Sequence, residues 1–397
     1  MTPQAAERSK LVKVMCVFGT RPEAIKMAPV VAELRRHPQF HPMVAVTAQH
    51  REMLDTVLHH FGIVPDYDLD IMQPGQSLTD VSVRTISGMS RVYQQARPDV
   101  VLVHGDTATT FCASLAAYYH KITLGHVEAG LRTGDKYAPF PEEAMRKLCD
   151  ALSDVHFAPT QQAKQNLLRE GTSPEHIYVT GNTAIDALLM TVNQDYTFAH
   201  PLLKQMQLEG LFLRKRVVLV EVHRRENFGE PMRRVFQALA RLVDTMPGDG
   251  IMVLSLHKNP EVQLPASQEL KPSPRLVVLD PVDYPDWANL MLRSYFIVSD
   301  SGGVQEEAPA IGKPVLLTRD KTERPEAVHA NTVKLVGTNP DVIWATAMRL
   351  FNDLEEYERM SRATNPYGDG KAAMRTVAGL LHYLGMGPRL PDFGFTT

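Results

Sequence analysis

Short apolar runs recur along the chain, and each stops at a burst of glycine and charged residues before an amphipathic stretch begins. Val12 to Phe18 ends at Gly19-Thr20-Arg21-Pro22-Glu23, and Ala24 to Arg36 then carries Ile25, Met27, Val30, Val31 and Leu34 at helical spacing. This is strand, turn, helix. Runs at Met43 to Ala48, Val100 to His104, Ile122 to Val127, Val155 to Ala158 and Ile177 to Thr180 repeat the pattern, with helices at Thr109 to Tyr119, from Glu142, and at Ala184 to Met190. Periodicity fades over 191–213, which predicts a domain boundary. It restarts with strands at Arg216 to Val222, Ile251 to Leu256, Leu276 to Leu279, Tyr295 to Val298 and Val315 to Thr318. Helices are expected at Val304 to Ile311, as one long element over Pro340 to Arg362, and at Ala372 to Leu384 after a break at Asn365 to Gly370. Buried strands alternating with helices predict an α/β protein of two parallel-sheet domains, 1–200 and 201–370, facing across a cleft. The segment 371–397 is expected to pack back on the first domain.

Composition narrows the class. A chain of 397 residues exceeds one ordinary core, and 44% hydrophobic with 22% charged residues is a globular balance. A net charge of -3 gives no support to nucleic-acid binding. No apolar run approaches the roughly 18 residues that span a bilayer, and the opening MTPQAAERSK has no signal-like apolar core, so no membrane association and a cytoplasmic location are expected. Cys16, Cys112 and Cys149 sit inside apolar patterns without metal spacing and read as reduced packing residues.

The chemistry concentrates where strands end. In ITLGHVEAGLRTGDKYAPFPEE, His126 and Glu128 are two apart, so an extended backbone would point them to one face, and Glu142 opens the next helix. Arg21 and Lys26 lie near the positive end of their helix, where an anion such as phosphate is favoured. Asp106 follows a strand, a position that suits catalysis and a helix N-cap equally. The second half offers His223, Arg224, Ser301, Gly302, Gly303, Glu307 and Arg324; its paired glycines before a helix suit a diphosphate, and Glu307 a ribose hydroxyl pair. Neither the Walker pattern nor GxGxxG is present. His126-Val127-Glu128 matches half of a zinc deaminase signature, but PCxxC and HExxH are absent, so neither a metal nor another cofactor is expected.

GTRPEAIK from Gly19, HGDT from His104, HVEAGLRTGD from His126, PEE from Pro141, Gly181-Asn182, HRREN from His223, SDSGG from Ser299 with QEE from Gln305, and ERPEA from Glu323 resemble the non-hydrolysing UDP-N-acetylglucosamine 2-epimerases in order. The resemblance implies two Rossmann-like domains in a GT-B-like arrangement. It also implies reversible interconversion of UDP-GlcNAc and UDP-ManNAc through elimination of UDP to 2-acetamidoglucal and re-addition, without cofactor. By position, Asp106, Glu128, Glu142 and His223 match catalytic residues. Arg21, Lys26, Arg132, Trp287, Ser301, Gly302, Gly303, Glu307 and Arg324 match substrate-binding ones. Gln49, His50 and Arg51 match a region where some relatives bind an activating second UDP-GlcNAc. A homodimer and a supply of ManNAc for bacterial cell-surface polysaccharide are also implied. Rival readings are the same chemistry on a UDP-2,3-diacetamido-glucuronic acid and a GT-B glycosyltransferase, against which the carboxylate cluster argues.

Overall fold

The structure, a computed structural model, describes residues 11–48, 51–73, 75–322 and 324–394. The chain divides into two compact units, one reaching Ala187 and resuming at Gly368, the other Leu188–Tyr367.

The first unit is a parallel sheet of β1 (Val12–Phe18), β2 (Phe40–Val46), β3 (Tyr67–Asp68), β4 (Val100–His104), β5 (Thr123–Val127), β6 (Val155–Ala158) and β7 (Ile177–Val179), in the order β3-β2-β1-β4-β5-β6-β7. All of β4 and Val14 to Phe18 of β1 are buried, as apolar runs covered on both faces must be. The helix Ala372–Tyr383 packs on the helix Arg21–Arg36 and on β6 and β7. Asp186 accepts from the N–H groups of Ala372 and Ala373 at 3.1 and 2.8 Å, satisfying two donors that open the helix. Gly379 permits the close approach, since a Cβ there would lie 3.0 Å from both Phe157 and Tyr178.

The second unit is a parallel sheet of β8 (Arg216–Glu221), β9 (Gly250–Ser255), β10 (Leu276–Leu279), β11 (Phe296–Ser299), β12 (Val315–Leu317) and β13 (Val333–Leu335), ordered β10-β9-β8-β11-β12-β13. Strand order reverses between β1 and β4 in one sheet and between β8 and β11 in the other. Such switch points are where open parallel sheets leave room for ligands. Phe236, Leu239 and Leu242 on the helix Glu230–Thr245 are wholly buried against the second sheet. Each such side chain contributes about 1.5–3 kcal/mol of burial.

Several expectations are corrected. The segment 191–213 belongs to the second unit and forms the helices Pro201–Leu208 and Leu211–Arg214, with Leu203 and Met206 in the core. Helices of eight and four residues complete too few turns to register as periodicity. The expected boundaries after 200 and 370 therefore become divisions at Ala187/Leu188 and Tyr367/Gly368. The single helix expected over 340–362 is two, Pro340–Asn352 and Leu354–Ser361. Asp353 between them is extended, and its Oδ1 accepts from Glu356 N at 3.0 Å, capping the second. The helix beginning at Gly302 is α-helical only to Glu307 and tightens to a 3-10 turn over Ala308–Ile311, which contains Pro309. Among the described residues no helix is long and apolar enough to cross a membrane.

Candidate active site

In the first unit the residues after β1, β4 and β5 converge at the switch point. Thr20 caps the helix Arg21–Arg36, and Glu23 reaches back with one oxygen to the N–H groups of Gly19 and Thr20 at 3.0 and 2.8 Å. Its other oxygen accepts from the hydroxyls of Thr107 and Thr110 at 2.6 and 3.0 Å. Glu23 thus fastens the β1 turn to the β4 turn. Burial holds its pKa above the ordinary carboxylate value despite those hydrogen bonds from Thr107, Thr20, Gly19 and Thr110.

The helix Ala108–Tyr119 is capped by Thr107, whose hydroxyl accepts from Thr110 N at 3.1 Å, so Asp106 is not the cap. Its carboxylate instead pairs with Arg146 Nη2. Arg146 lies on the helix Glu142–Leu152, and its guanidinium also donates to the Glu128 carbonyl and stands 3.4 Å from Glu128 Oε1. One buried cation therefore joins two candidate acids.

Glu128 is the centre of the cluster. Lys26 Nζ meets its Oε2, Asn182 Nδ2 donates to the same oxygen at 3.2 Å, and His104 Nε2 lies 3.7 Å away. Burial opposes ionisation of Glu128, but the charges of Lys26 and Arg146 outweigh it and hold the pKa well below the usual value. Burial depresses His104 to about 3, leaving it a neutral imidazole beside the carboxylate. Glu128 also adopts φ 65°, a region costly for a residue with a Cβ. That turn ends the strand alternation at Val127. His126 stays in the sheet, bonded to Asp150 and the Gly105 carbonyl, while Glu128 meets Lys26, so the two side chains serve different sites.

The other expected residues of this unit divide. Glu142 opens its helix and is partly exposed, and its side chain forms no hydrogen bond or ion pair with any described residue. Its neighbour Glu143 is buried and accepts from Thr133 N and Gly134 N at 3.0 and 3.1 Å, fixing that loop. Arg21 is partly exposed at the start of its helix, whereas Lys26 is committed to Glu128 rather than standing open for a phosphate. Arg132 spends its guanidinium on Asp150 and Glu170, each at 2.6 Å, so the structure places it in the scaffold. Gln49 and His50 lie outside the described residues, and Arg51 opens the helix Arg51–His60. Cys16, Cys112 and Cys149 are buried and free.

In the second unit Asp300, wholly buried after β11, organises the turn after β8. It accepts from His223 N at 2.9 Å, Arg224 N at 2.9 Å and Asn227 Nδ2 at 3.0 Å. The His223 ring stacks on His257 with centroids 5.3 Å apart. Burial lowers the His223 pKa, with Asp300 opposing and His257 and Arg224 reinforcing the shift. Ser301 precedes the helix Gly302–Glu307, and Gly303 is exposed. A Cβ on Gly302 would lie 2.7 Å from Arg324 Nη1 and 3.1 Å from Arg224 Nη2, so both guanidinia crowd the glycine turn. Arg324 is steadied by Glu306 at 2.6 Å. Glu307 ends that helix, partly exposed, and Trp287 on the helix Tyr284–Arg293 packs against the second unit's core. Glu323 of the ERPEA stretch lies outside the described residues.

Arg146, Asn182, His104, Asp150 and Asp300 were not singled out from the sequence as site residues. Arg146 carried a readable signal, because it follows Glu142 by four positions at a helix start and so shares its face. Among the described residues no His, Cys, Asp or Glu group is arranged to hold a metal ion.

Two doubly wound parallel sheets with ionisable groups gathered at each switch point define an α/β enzyme with the paired domains of the GT-B-like class. A family model described as UDP-N-acetylglucosamine 2-epimerase matches residues 32–381. The UDP-N-acetylglucosamine 2-epimerase of Bacillus subtilis strain 168 is 50% identical over 383 residues, 96% of this chain and 98% of its own. That of Salmonella typhimurium is 51% identical over 373 residues, 94% and 99% of the two chains. Among solved structures, a putative UDP-N-acetylglucosamine 2-epimerase from Listeria monocytogenes superposes with TM-score 0.90 at 48% identity, covering 97% of this chain and all (100%) of that one. The UDP-GlcNAc 2-epimerase of Neisseria meningitidis bound to UDP-GlcNAc gives 0.84 at 48%, covering 94% and 100%. The chain belongs to the UDP-N-acetylglucosamine 2-epimerase family and is an epimerase.

Proposed function

We propose that the enzyme interconverts UDP-N-acetylglucosamine and UDP-N-acetylmannosamine by eliminating UDP and adding it back. The observation that carries this reading is the Glu128 carboxylate, kept ionised in a buried site by Lys26 and Arg146 while Arg146 also holds Asp106. The C2 hydrogen of the sugar is not adjacent to a carbonyl and is poorly acidic. Departure of UDP must therefore lead. The C1–O bond breaks with its electron pair going to the β-phosphate oxygen, and positive charge builds at C1. A carboxylate that cannot readily take a proton stabilises that charge, which is the role assigned to Glu128.

The C2 proton then leaves to a neighbouring carboxylate, and C1=C2 forms, giving 2-acetamidoglucal. Asp106 and Glu142, both partly exposed, are assigned to the two faces of C2, one removing the proton and the other returning it from the opposite side. Each such transfer contributes roughly 10² to 10⁴ in rate. UDP oxygen then re-adds to C1. His223, Arg224, Arg324 and the Ser301-Gly302-Gly303 turn hold the diphosphate, Glu307 the ribose, and Trp287 the uracil side. Arg21 supplies a further cation to the phosphates. The enzyme acts as a cytoplasmic homodimer supplying ManNAc for cell-surface polysaccharide, parts of the reading that rest on the family resemblance.

Proton NMR of the enzyme with UDP-GlcNAc in deuterated water tests the reaction. Deuterium appearing at C2 together with UDP-ManNAc anomeric signals is the expected result. Intact, unexchanged substrate would refute it and turn attention to the diacetamido-uronic acid sugar or to a transferase acceptor.

A further inference from the structure

The His126 ring, wholly buried on β5, has no part in the reaction as described. Its Nδ1 lies 2.6 Å from Asp150 Oδ1 and its Nε2 2.7 Å from the Gly105 carbonyl oxygen. Asp150 is itself fixed as a carboxylate, because its other oxygen accepts from Arg132 Nη2 at 2.6 Å and Gly130 N at 3.2 Å. A carbonyl and a carboxylate only accept, so both ring nitrogens carry hydrogen and the side chain is an imidazolium. The groups facing it are Asp150 and Cys149 on the helix Glu142–Leu152, His104 on β4 and His156 on β6. Burial would lower its pKa, but Cys149 and Asp150 raise it to about 10, in agreement with the hydrogen-bond pattern.

The carbonyl it holds belongs to a demanding position. Gly105 has φ +71° and donates its own N–H to Val127 O at 3.0 Å, so the residue is tied at both its N–H and its C=O. Asp106 is next in the chain. On the far side of the pair, Asp150 takes the N–H of Gly130, two residues beyond Glu128. The His126–Asp150 pair therefore lies beneath both turns that present carboxylates.

We propose that His126 is a positioning residue: its Nε2–H holds the Gly105 carbonyl and thereby sets the Asp106 carboxylate, while Asp150 keeps that nitrogen a donor. The assignment rests on the epimerase reading of the same site. His126→Phe keeps a flat ring and removes the donor. It lowers kcat for UDP-GlcNAc by roughly 10- to 100-fold, the worth of a displacement near an ångström, with KM nearly unmoved. Asp150→Asn is the discriminating partner. Its amide donates to Nδ1 while its oxygen keeps Arg132 and Gly130 N, which leaves a neutral ring still donating through Nε2 to Gly105. Its loss of kcat stays within about fivefold, the value of exchanging a charged for a neutral donor.

Should the Phe variant fail to fold, ¹⁵N spectra of histidine-labelled wild-type enzyme decide, with both ring nitrogens of the buried histidine protonated at neutral pH as the expected result. A neutral ring there, a Phe variant with near-wild-type kcat, or equal losses in the two variants would overturn the proposal. Wild-type enzyme that leaves C2 of UDP-GlcNAc unexchanged overturns the functional reading instead, and the ring spectrum still decides whether the donor to Gly105 exists.

Discussion

Gly302→Ala separates nucleotide binding from folding. The added Cβ would stand 2.7 Å from Arg324 Nη1, 3.0 Å from its Cζ and 3.1 Å from Arg224 Nη2. Contact needs about 3.5 Å or more, so both guanidinia must retreat by several tenths of an ångström. The backbone has no objection, because Gly302 is not among the positive-φ glycines and begins a helix, where Ala is favoured over Gly by about 0.5–1 kcal/mol. The strain falls instead on Arg324, which Glu306 anchors at 2.6 Å and which cannot swing away without loosening that pair. Losing one well-directed hydrogen bond between a guanidinium and a phosphate costs about 1.5–3 kcal/mol, or roughly 10- to 150-fold in Kd. Calorimetric titration with UDP reads the affinity, and a thermal melt reads the fold. Weaker UDP binding with Tm equal to or slightly above wild type is the expected pair of results. Unchanged affinity at unchanged Tm would refute the placing of the diphosphate against these guanidinia, and a large fall in Tm would show that the turn is structural.

Glu128→Gln keeps shape but removes the fixed charge, so single-turnover rates should fall by roughly 10² to 10⁴ with UDP affinity retained; a loss under tenfold would remove Glu128 from its assigned role. Arg132→Ala should cost about 3 kcal/mol in urea unfolding, because Arg132 is a buried partner of Asp150. A raised KM with full stability would instead make it a substrate ligand. Stability against pH should carry the mark of the buried pair. The folded pKa of His126 is raised from 6.5 to about 10, so its contribution is whole below 6.5 and is lost as pH rises through about 10. That of Asp150 is depressed, burial opposing but His126 and Arg132 prevailing, so its contribution is present above the ordinary aspartate pKa and lost on acidification. Asp150→Asn should flatten both limbs of the urea midpoint against pH, and curves parallel to wild type would contradict the linkage.

The alternation of strand and helix was legible because buried parallel strands must be apolar on both faces, which leaves plain runs such as Val100 to His104. The helix Leu78–Ala96 is not among the expected helices, although Ser77 and Asp80 form a capping box whose spacing stands in the sequence. Asp106 stayed undecided between catalyst and cap because Asp and Thr are both good caps, and only coordinates show that Thr107 takes that post. The φ of 65° at Glu128 had no signal, since nothing in a glutamate predicts a left-handed backbone. His126 and Asp150 lie 24 residues apart and meet only when β5 and the following helix pack, so their pairing is tertiary information.

The two sheets place chemistry at the same topological point but solve opposite electrostatic problems. In the first, the buried carboxylate of Glu128 is the charge assigned to the reaction, and cations gathered from β1's helix and from the helix Glu142–Leu152 keep it ionised. In the second, the buried carboxylate of Asp300 is structural. Three N–H groups converge on it, which satisfies it without a guanidinium and leaves the side chains of Arg224 and Arg324 directed at the Gly302 turn. Had Asp300 taken Arg224 as its partner, that guanidinium would have been drawn from the Gly302 turn into a buried ion pair. Meeting the buried acid with two main-chain N–H groups and the Asn227 amide fixes the turn, while Arg224 and the Glu306-anchored Arg324 bring positive charge to it. By the same reasoning Asp300→Asn should damage the His223 and Arg224 turn through geometry more than through charge, because the amide nitrogen would face donors where an oxygen now accepts.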